Sequence, residues 1–231
     1  MSHLSPMFLR ISTLSAVICL VAYTFMDFYP ETLDKVALAV ESSKIAKALM
    51  VQQEGIGEDL SFSLMAWCDD ELVAVAQLSG LLMGDHDERY GLMVQAACIL
   101  RQGWDATAFT MVAEGFCSTN PEESRGNDMA QLFASPSCDF VRECLAFTHV
   151  EEEELLFVVV PYKYEPPRRV VYSNPLQHKG ASVLRDGRYP LSLHRALSIE
   201  IAHEGEDYNG DLLRELLAKG LTDLGFEVNY R

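Results

Sequence analysis

Residues 149–164 read HVEEEELLFVVVPYKY, in which four glutamates precede a run of apolar residues. In the run that starts at Leu155 both alternating sets of side chains are apolar, which is typical of a strand covered on both faces inside a sheet. The preceding run, 140–150, is also strand-like. The pattern predicts two antiparallel strands whose connecting turn carries the glutamates, where water solvates their charge.

The same glutamates have a second interpretation. His149, Glu151 and Glu153 carry imidazole and carboxylate groups, which suit several divalent cations. Adjacent carboxylates in a turn are usually solvated, however, and carboxylates are seldom buried unless they are paired. We therefore favour the solvated turn over a metal site at this position.

The rest of the chain alternates between helical and extended patterns. Apolar residues recur at helical spacing in 31–53, 85–103 and 209–220. Strand-like patterns occur in 60–78, which reads as a hairpin with Asp69 and Asp70 at its turn, in 106–117, and after 221. Residues 118–137 are rich in Asn, Pro, Gly and Ser and predict a loop. The fold class is α+β, a mostly antiparallel sheet built from Ala106 onward, with two helices in the N-terminal half and a short C-terminal helix.

An apolar segment without charge, Ile11 to Met26, precedes this domain and divides the chain into 1–26 and 27–231. It is slightly short for a membrane-spanning helix, which needs about 20 apolar residues. The segment has three possible interpretations: a membrane anchor, a buried helix, or an extension upstream of a start at Met26. If it is an anchor, Arg10 on its N-terminal side places the bulk of the chain outside the cytoplasm. A cytoplasmic location is favoured, and a membrane-anchored one is the alternative.

The charge of the chain argues against a nucleic-acid partner. Thirty-four acidic residues against 18 lysines and arginines give a net charge of −16, whereas nucleic-acid binders need basic side chains to neutralise phosphates. The whole excess lies in residues 1–160. An acidic face of this kind suits a protein partner.

A basic, aromatic band lies in the balanced remainder of the chain. Its candidate ligand-binding residues are Lys163, Tyr164, Arg168 and Arg169. Arginine forks match phosphate and carboxylate geometry, so this band predicts a site for an anionic ligand. The competing interpretation, which we favour, is that acids of the same chain neutralise the band.

The six cysteines form no CxxC pair and no zinc-ligand spacing. Most lie in apolar runs, such as the one around Cys144, where a free thiol behaves as a small hydrophobic side chain. Their even number leaves disulfides possible in an exported protein, but their spread along the chain favours a reducing compartment.

Three residues are candidates for chemistry. Glu200 and His203 are three apart, so on a helix they share a face and can bind one metal. The surrounding ALSIEIAH also fits a strand, which would separate the two side chains, and we favour a surface pair. Glu114 lies in the apolar run MVAEGFC, so it either faces solvent, which we favour, or is satisfied by a partner such as Arg142 or a tyrosine.

The leading functional hypothesis is a non-enzymatic binding or regulatory protein that engages a protein partner. It rests on the acidic charge and on the lack of GxSxG, GxxxxGKS, GxGxxG, HExxH and EF-hand motifs in the sequence. The alternatives are a metal-assisted hydrolase that uses Glu114, Glu200 and His203 on an anionic substrate, and a membrane-tethered extracytoplasmic domain. The sequence assigns neither a cofactor nor an oligomeric state.

Overall fold

The structure is a computed structural model, and the residues it describes have several gaps between them. They are 34–53, 55–56, 60, 62–78, 86–118, 120, 122, 129–135, 138–152, 154–180, 188–199 and 210–230. The apolar segment Ile11–Met26, and with it the anchor hypothesis, lies outside the described residues, as do Glu153, Glu200 and His203.

Most helices and strands coincide with segments that the sequence patterns predict, but the elements at 129–134, 169–172, 176–179 and 188–198 were not predicted. The helices are α1 Lys35–Gln53, α2 His86–Trp104, α3 Met129–Ala134, α4 Arg188–Ser198 and α5 Gly210–Asp223. The strands are β1 Ser63–Cys68, β2 Glu71–Leu78, β3 Ala108–Ser118, β4 Val141–Val150, β5 Leu155–Glu165, β6 Arg169–Tyr172, β7 Leu176–Lys179 and β8 Phe226–Tyr230. The predicted hairpins β1–β2 and β4–β5 are confirmed, and so are the predicted helices α1, α2 and α5.

The strands form one eight-stranded sheet in the order β6-β5-β4-β3-β1-β2-β8, and β7 pairs with β5 next to β6. Every pairing described is antiparallel. The fold class is α+β, as predicted. The β1–β2 hairpin extends this sheet beyond β3, so the sheet begins before Ala106.

Strand β5 has hydrogen-bonded neighbours along both edges, β4 on one side and β6 with β7 on the other. Its residues Val158 and Val160 lie in the core on one face of the sheet, and Leu155 packs into the core on the opposite face. The apolar character of both alternating sets therefore reflects an interior strand, as the sequence indicates.

Helix α1 packs on one face of the sheet, against β3, β4 and β6, and the helices α2, α4 and α5 pack on the other face. The core beneath α1 contains Trp67 and Phe147, and the opposite core contains Phe109, Met93 and Leu193. Along β3, Ala108 and Val112 belong to the first core and Phe109 and Met111 to the second, which follows the two-residue alternation of a strand. Side chains at even positions of β3 thus face α1.

The loop predicted for 118–137 is wrong in one part. Residues 129–134, MAQLFA, form the short helix α3, which packs against β3 and β4. The Asn, Pro, Gly and Ser residues that suggested a loop surround a segment of good helix formers.

Among the helices that the structure describes, none combines the length and apolar character that crossing a membrane requires.

Candidate functional site

Glu114 occupies an even position of β3 and therefore faces α1, inside the protein. Its side chain is only 7% exposed, so the expectation that it faces solvent is wrong. The Lys47 ammonium of α1 lies 2.7 Å from Oε1. The Tyr162 hydroxyl donates to Oε1 at 2.9 Å, and the Leu60 N–H donates to Oε2 at 2.6 Å. We call these four groups the Glu114 cluster.

The predicted tyrosine partner of Glu114 exists, whereas Arg142 takes another role. Arg142 lies opposite Cys117 in the β3–β4 register and donates to the carbonyl of Val141. Cys117 is at an odd position of β3, on the face away from α1. The sheet therefore separates Arg142 from the Glu114 carboxylate.

Burial raises the pKa of the Glu114 carboxyl above its ordinary value, and the Lys47 ammonium and the hydrogen bonds from Leu60 and Tyr162 oppose that shift. All three neighbours donate, and only an ionised carboxylate accepts at both oxygens without offering a proton of its own. The geometry therefore corresponds to a charged pair. Lys47 is fully buried and its Nζ lies 5.4 Å from the ring centre of Tyr162, a cation–π distance.

The Glu114 cluster joins α1 to the sheet. A general base must reach a substrate proton, and here both carboxylate oxygens already accept hydrogen bonds in a buried position. Nearby, the Tyr172 hydroxyl on β6 donates to the carbonyl of Lys44 at 2.9 Å and adds a second link to the helix. This arrangement favours a structural role for Glu114 over the catalytic role in the hydrolase hypothesis.

The sequence of α1 contains a signal for the buried Lys47. Along α1 the buried positions include Val36, Val40, Ser43, Lys47 and Met50, which recur at spacings of three and four. A lysine within that stripe must find an acid, and Glu114 is an acid within an apolar strand that must find a base. Each residue predicts the other, although neither pattern says that the two segments pack together.

The structure does not bring the four residues of the basic band into one site. Lys163 and Tyr164 are consecutive in β5, so they point to opposite faces, and Tyr164 packs against the core under α1. The exposed Lys163 ammonium lies 3.0 Å from Glu165. Arg168 is exposed in the turn after β5, and Arg169 pairs in register with Glu165.

A chain of hydrogen bonds runs through the core beside the Glu114 cluster. The Trp67 indole donates to the Thr110 hydroxyl at 2.9 Å, and that hydroxyl lies 2.8 Å from Nδ1 of His149. The other ring nitrogen of His149 is 3.5 Å from Glu151, which also holds Lys35 at 2.9 Å. The Glu151 carboxylate can only accept, so it favours the tautomer with the proton on Nε2, and Nδ1 then accepts from the Thr110 hydroxyl.

This chain of hydrogen bonds resembles a hydroxyl–imidazole–carboxylate relay, but Thr110 is fully buried, away from solvent. Burial lowers the pKa of His149 although Glu151 acts to raise it, so the imidazole is neutral at pH 7. In the described part of the chain no group of three His, Cys, Asp or Glu side chains is placed to hold a metal ion. The Glu151 carboxylate, one of the three groups in the metal site considered for His149, Glu151 and Glu153, forms an ion pair with the Lys35 ammonium.

Strand register brings acidic residues from separate parts of the chain to one end of the sheet. Trp67 pairs with Ala108, Phe109 with Val150, and Val150 with Leu155, so the turns that follow β1 and β4 lie at the same end as the start of β3. We call this region the acidic end. Its described acids are Asp69, Asp70, Glu71, Asp105, Glu151, Glu152 and Glu154.

All of these acids except the half-buried Glu151 are exposed. Lys35 lies 3.6 Å from Asp70 as well as against Glu151, and Lys179 lies 3.5 Å from Glu154. Seven carboxylates and these two lysines leave a net charge of −5 among the described residues of the acidic end. The predicted solvated turn is thus part of a larger charged surface.

A cavity of about 360 Å³ opens beside the acidic end. Its lining includes Glu152 and Thr107 from the acidic end and Arg101, His194 and Leu197 from the helical face. Arg101 is already engaged, because its guanidinium donates to the carbonyls of Ala196 and Ile199 at the end of α4. The volume falls in the range of ligand-sized clefts, which is about 300–1,000 Å³.

Comparisons with protein-family models, with curated proteins and with solved structures found no match to this chain. The assignment of function therefore rests on the geometry alone.

Proposed function

We propose that this protein is a non-enzymatic binding protein whose acidic end engages a basic segment of a partner protein. The observation that carries the proposal is the convergence of acids from the β1–β2 turn, the segment before β3 and the β4–β5 turn at one end of the sheet. Opposite potentials across an interface steer association and fix its register.

Two further features support this function. The acidic end sits on turns held by a rigid sheet, and positive φ angles at Asp69 (50°) and Asp105 (51°) mark tight, defined turns there. The adjoining cavity gives a partner side chain a recess next to Glu152. A charged surface of fixed shape beside a recess suits recognition of a particular basic segment better than it suits diffuse charge attraction.

The test is to compare two variants that lose the same number of charges in different places. The acidic-end variant carries Asp69→Asn, Asp70→Asn, Asp105→Asn and Glu152→Gln. Asparagine tolerates the positive φ at positions 69 and 105. The control variant carries Glu122→Gln, Asp139→Asn, Glu215→Gln and Asp223→Asn, which neutralise exposed acids outside the acidic end.

Binding of a fluorescent peptide rich in lysine and arginine is measured by anisotropy at an ionic strength of about 0.15 M. We expect about tenfold weaker binding by the acidic-end variant and nearly unchanged binding by the control variant. Equal weakening in both variants would mean that only net charge matters and would refute the proposal. Absence of binding by the unmodified protein would refute it as well.

A further inference from the structure

Cys117 on β3 and Cys144 on β4 are diagonal neighbours on the sheet face that lies away from α1. Cys144 pairs in register with Gly115, and Cys117 pairs with Arg142. Both cysteines are free thiols, and their register places the Cys144 thiol beside Cys117, where it can serve as a hydrogen-bond donor to that sulfur. Two adjacent thiols share one favourable ionisation, because the second charge would be repelled by the first.

Burial and neighbouring charge favour ionisation of Cys117 over ionisation of Cys144. The hydrogen bond to Cys117, burial and the negative charges of Glu114 and Glu143 all raise the pKa of Cys144, which is 3% exposed. For Cys117, the hydrogen bond from Cys144 and the nearby Arg142 lower the pKa and outweigh its partial burial. A thiolate at Cys117 therefore has a donor on one side and a cation on the other.

Helix α3, which packs against β3 and β4, adds no charge to this site because its sequence is MAQLFA. Cys117 is also partly exposed, whereas Cys144 is buried. Cys117 is therefore the more accessible of the two residues to a reagent.

We propose that Cys117 is a reactive-thiol site for exchange with small disulfides, with Cys144 as its hydrogen-bond donor and Arg142 as its charge partner. The Cys117 thiolate attacks one sulfur of the disulfide and forms a new S–S bond with it. The other sulfur leaves with the electron pair as a thiolate, so Cys117 is oxidised to a mixed disulfide and the leaving half is reduced. Arg142 favours disulfides with anionic substituents.

The mixed disulfide is the expected end product. Diagonal neighbours across an antiparallel pair have Cα atoms about 7–8 Å apart, and cysteines more than about 7 Å apart are not bridged without backbone movement. Cys144 therefore serves as donor and does not replace the incoming group.

The chain supplies an internal control. Cys68 is partly exposed like Cys117, but burial and the charges of Asp69, Asp105 and Glu71 raise its pKa. The folded protein is treated with 5,5′-dithiobis(2-nitrobenzoate), release of the coloured thiolate is followed in time, and modified cysteines are located by peptide mass mapping. At pH 7 we expect Cys117 to react at least about tenfold faster than Cys68.

Iodoacetamide is uncharged, so its rate of alkylation over a range of pH reports the ionisation of Cys117 without the attraction between Arg142 and the anionic 5,5′-dithiobis(2-nitrobenzoate). In Cys144→Ala the rate–pH profile of Cys117 is expected to move to higher pH, whereas Cys144→Ser, which keeps a donor, should lie close to the unmodified protein. Equal reactivity of Cys68 and Cys117 in the unmodified protein would overturn the proposal without reference to any variant. An unchanged profile in a folded Cys144→Ala protein would overturn it too.

Discussion

Glu114 and Lys47 place two opposite charges in the interior, and their energetic effect depends on each having the other. Taking an ion out of water costs several kcal/mol, and attraction at 2.7 Å offsets this cost only while both partners and their hydrogen bonds are present. The pair also fixes the position of α1 on the sheet, because the two charges come from segments far apart in sequence.

Loss of one partner should therefore be far more damaging than loss of both. Glu114→Gln leaves the Lys47 ammonium without its counter-ion at a fully buried site, and we expect the free energy of unfolding to fall by about 3–5 kcal/mol. The double substitution Lys47→Met with Glu114→Gln removes both charges and keeps a side-chain acceptor for Leu60 and Tyr162, so it should recover part of that loss. Urea denaturation followed by circular dichroism measures both, and a double variant less stable than Glu114→Gln would contradict this account.

His149 makes stability depend on pH near neutrality. Burial holds its pKa in the folded protein below the ordinary value of about 6.5, so below pH 6.5 the unfolded chain binds a proton that the folded protein does not. The free energy of unfolding therefore falls as the pH decreases from 7.5 to 5.5, at up to about 1.4 kcal/mol per pH unit.

The control for His149 is His178, which is exposed on β7. His149→Gln keeps an acceptor for Thr110 and a donor for Glu151, and it should flatten the pH dependence of urea midpoints. His178→Gln should keep it. If the pH dependence persists in His149→Gln and disappears in His178→Gln, His178 and not His149 causes it, and the prediction is wrong.

The elements themselves were largely predictable because each has a strong local pattern. Alternating apolar residues gave β3 and β4, and helical spacing gave α1 and α2, whose boundaries in the structure agree to within a few residues. Helices α3 and α4 were not predicted. Helix α3 has six residues, too few to display a helical period, and its formation depends on packing against β3 and β4.

Helix α2 contains two glycines whose different surroundings give a prediction at this scale. A Cβ at Gly91 would meet no atom within 4 Å, whereas a Cβ at Gly103 would lie 3.0 Å from Cδ1 of Leu217 on α5. Gly91→Ala should raise the free energy of unfolding by about 0.5–1 kcal/mol through helix propensity. Gly103→Ala should lose this gain because Leu217 must move. Thermal denaturation compares the two, and a lower melting temperature for Gly91→Ala than for Gly103→Ala would be the opposite result.

At the scale of the whole molecule, the net charge of −16 opposes compactness. Raising the ionic strength from about 0.01 to 0.15 M shortens the screening length from about 30 to 8 Å, and the melting temperature should rise. The acidic-end variant should be less sensitive to salt than the control variant, since its remaining charges are farther apart. Scanning calorimetry at the two salt concentrations measures this, and a melting temperature that falls with salt would contradict it.

The sequence by itself determined the α+β class, most helices and strands, the interior position of β5 and the requirement that Glu114 have a partner if it is buried. These properties are local, because the period of a pattern reports which side chains are covered. Tertiary structure alone decided that Lys47 is that partner, that the acids of three segments meet at one end of the sheet, and that Cys117 and Cys144 are diagonal neighbours on one face of the sheet. Strand order and register create these contacts, and they follow from the packing of distant segments, which a local period does not encode.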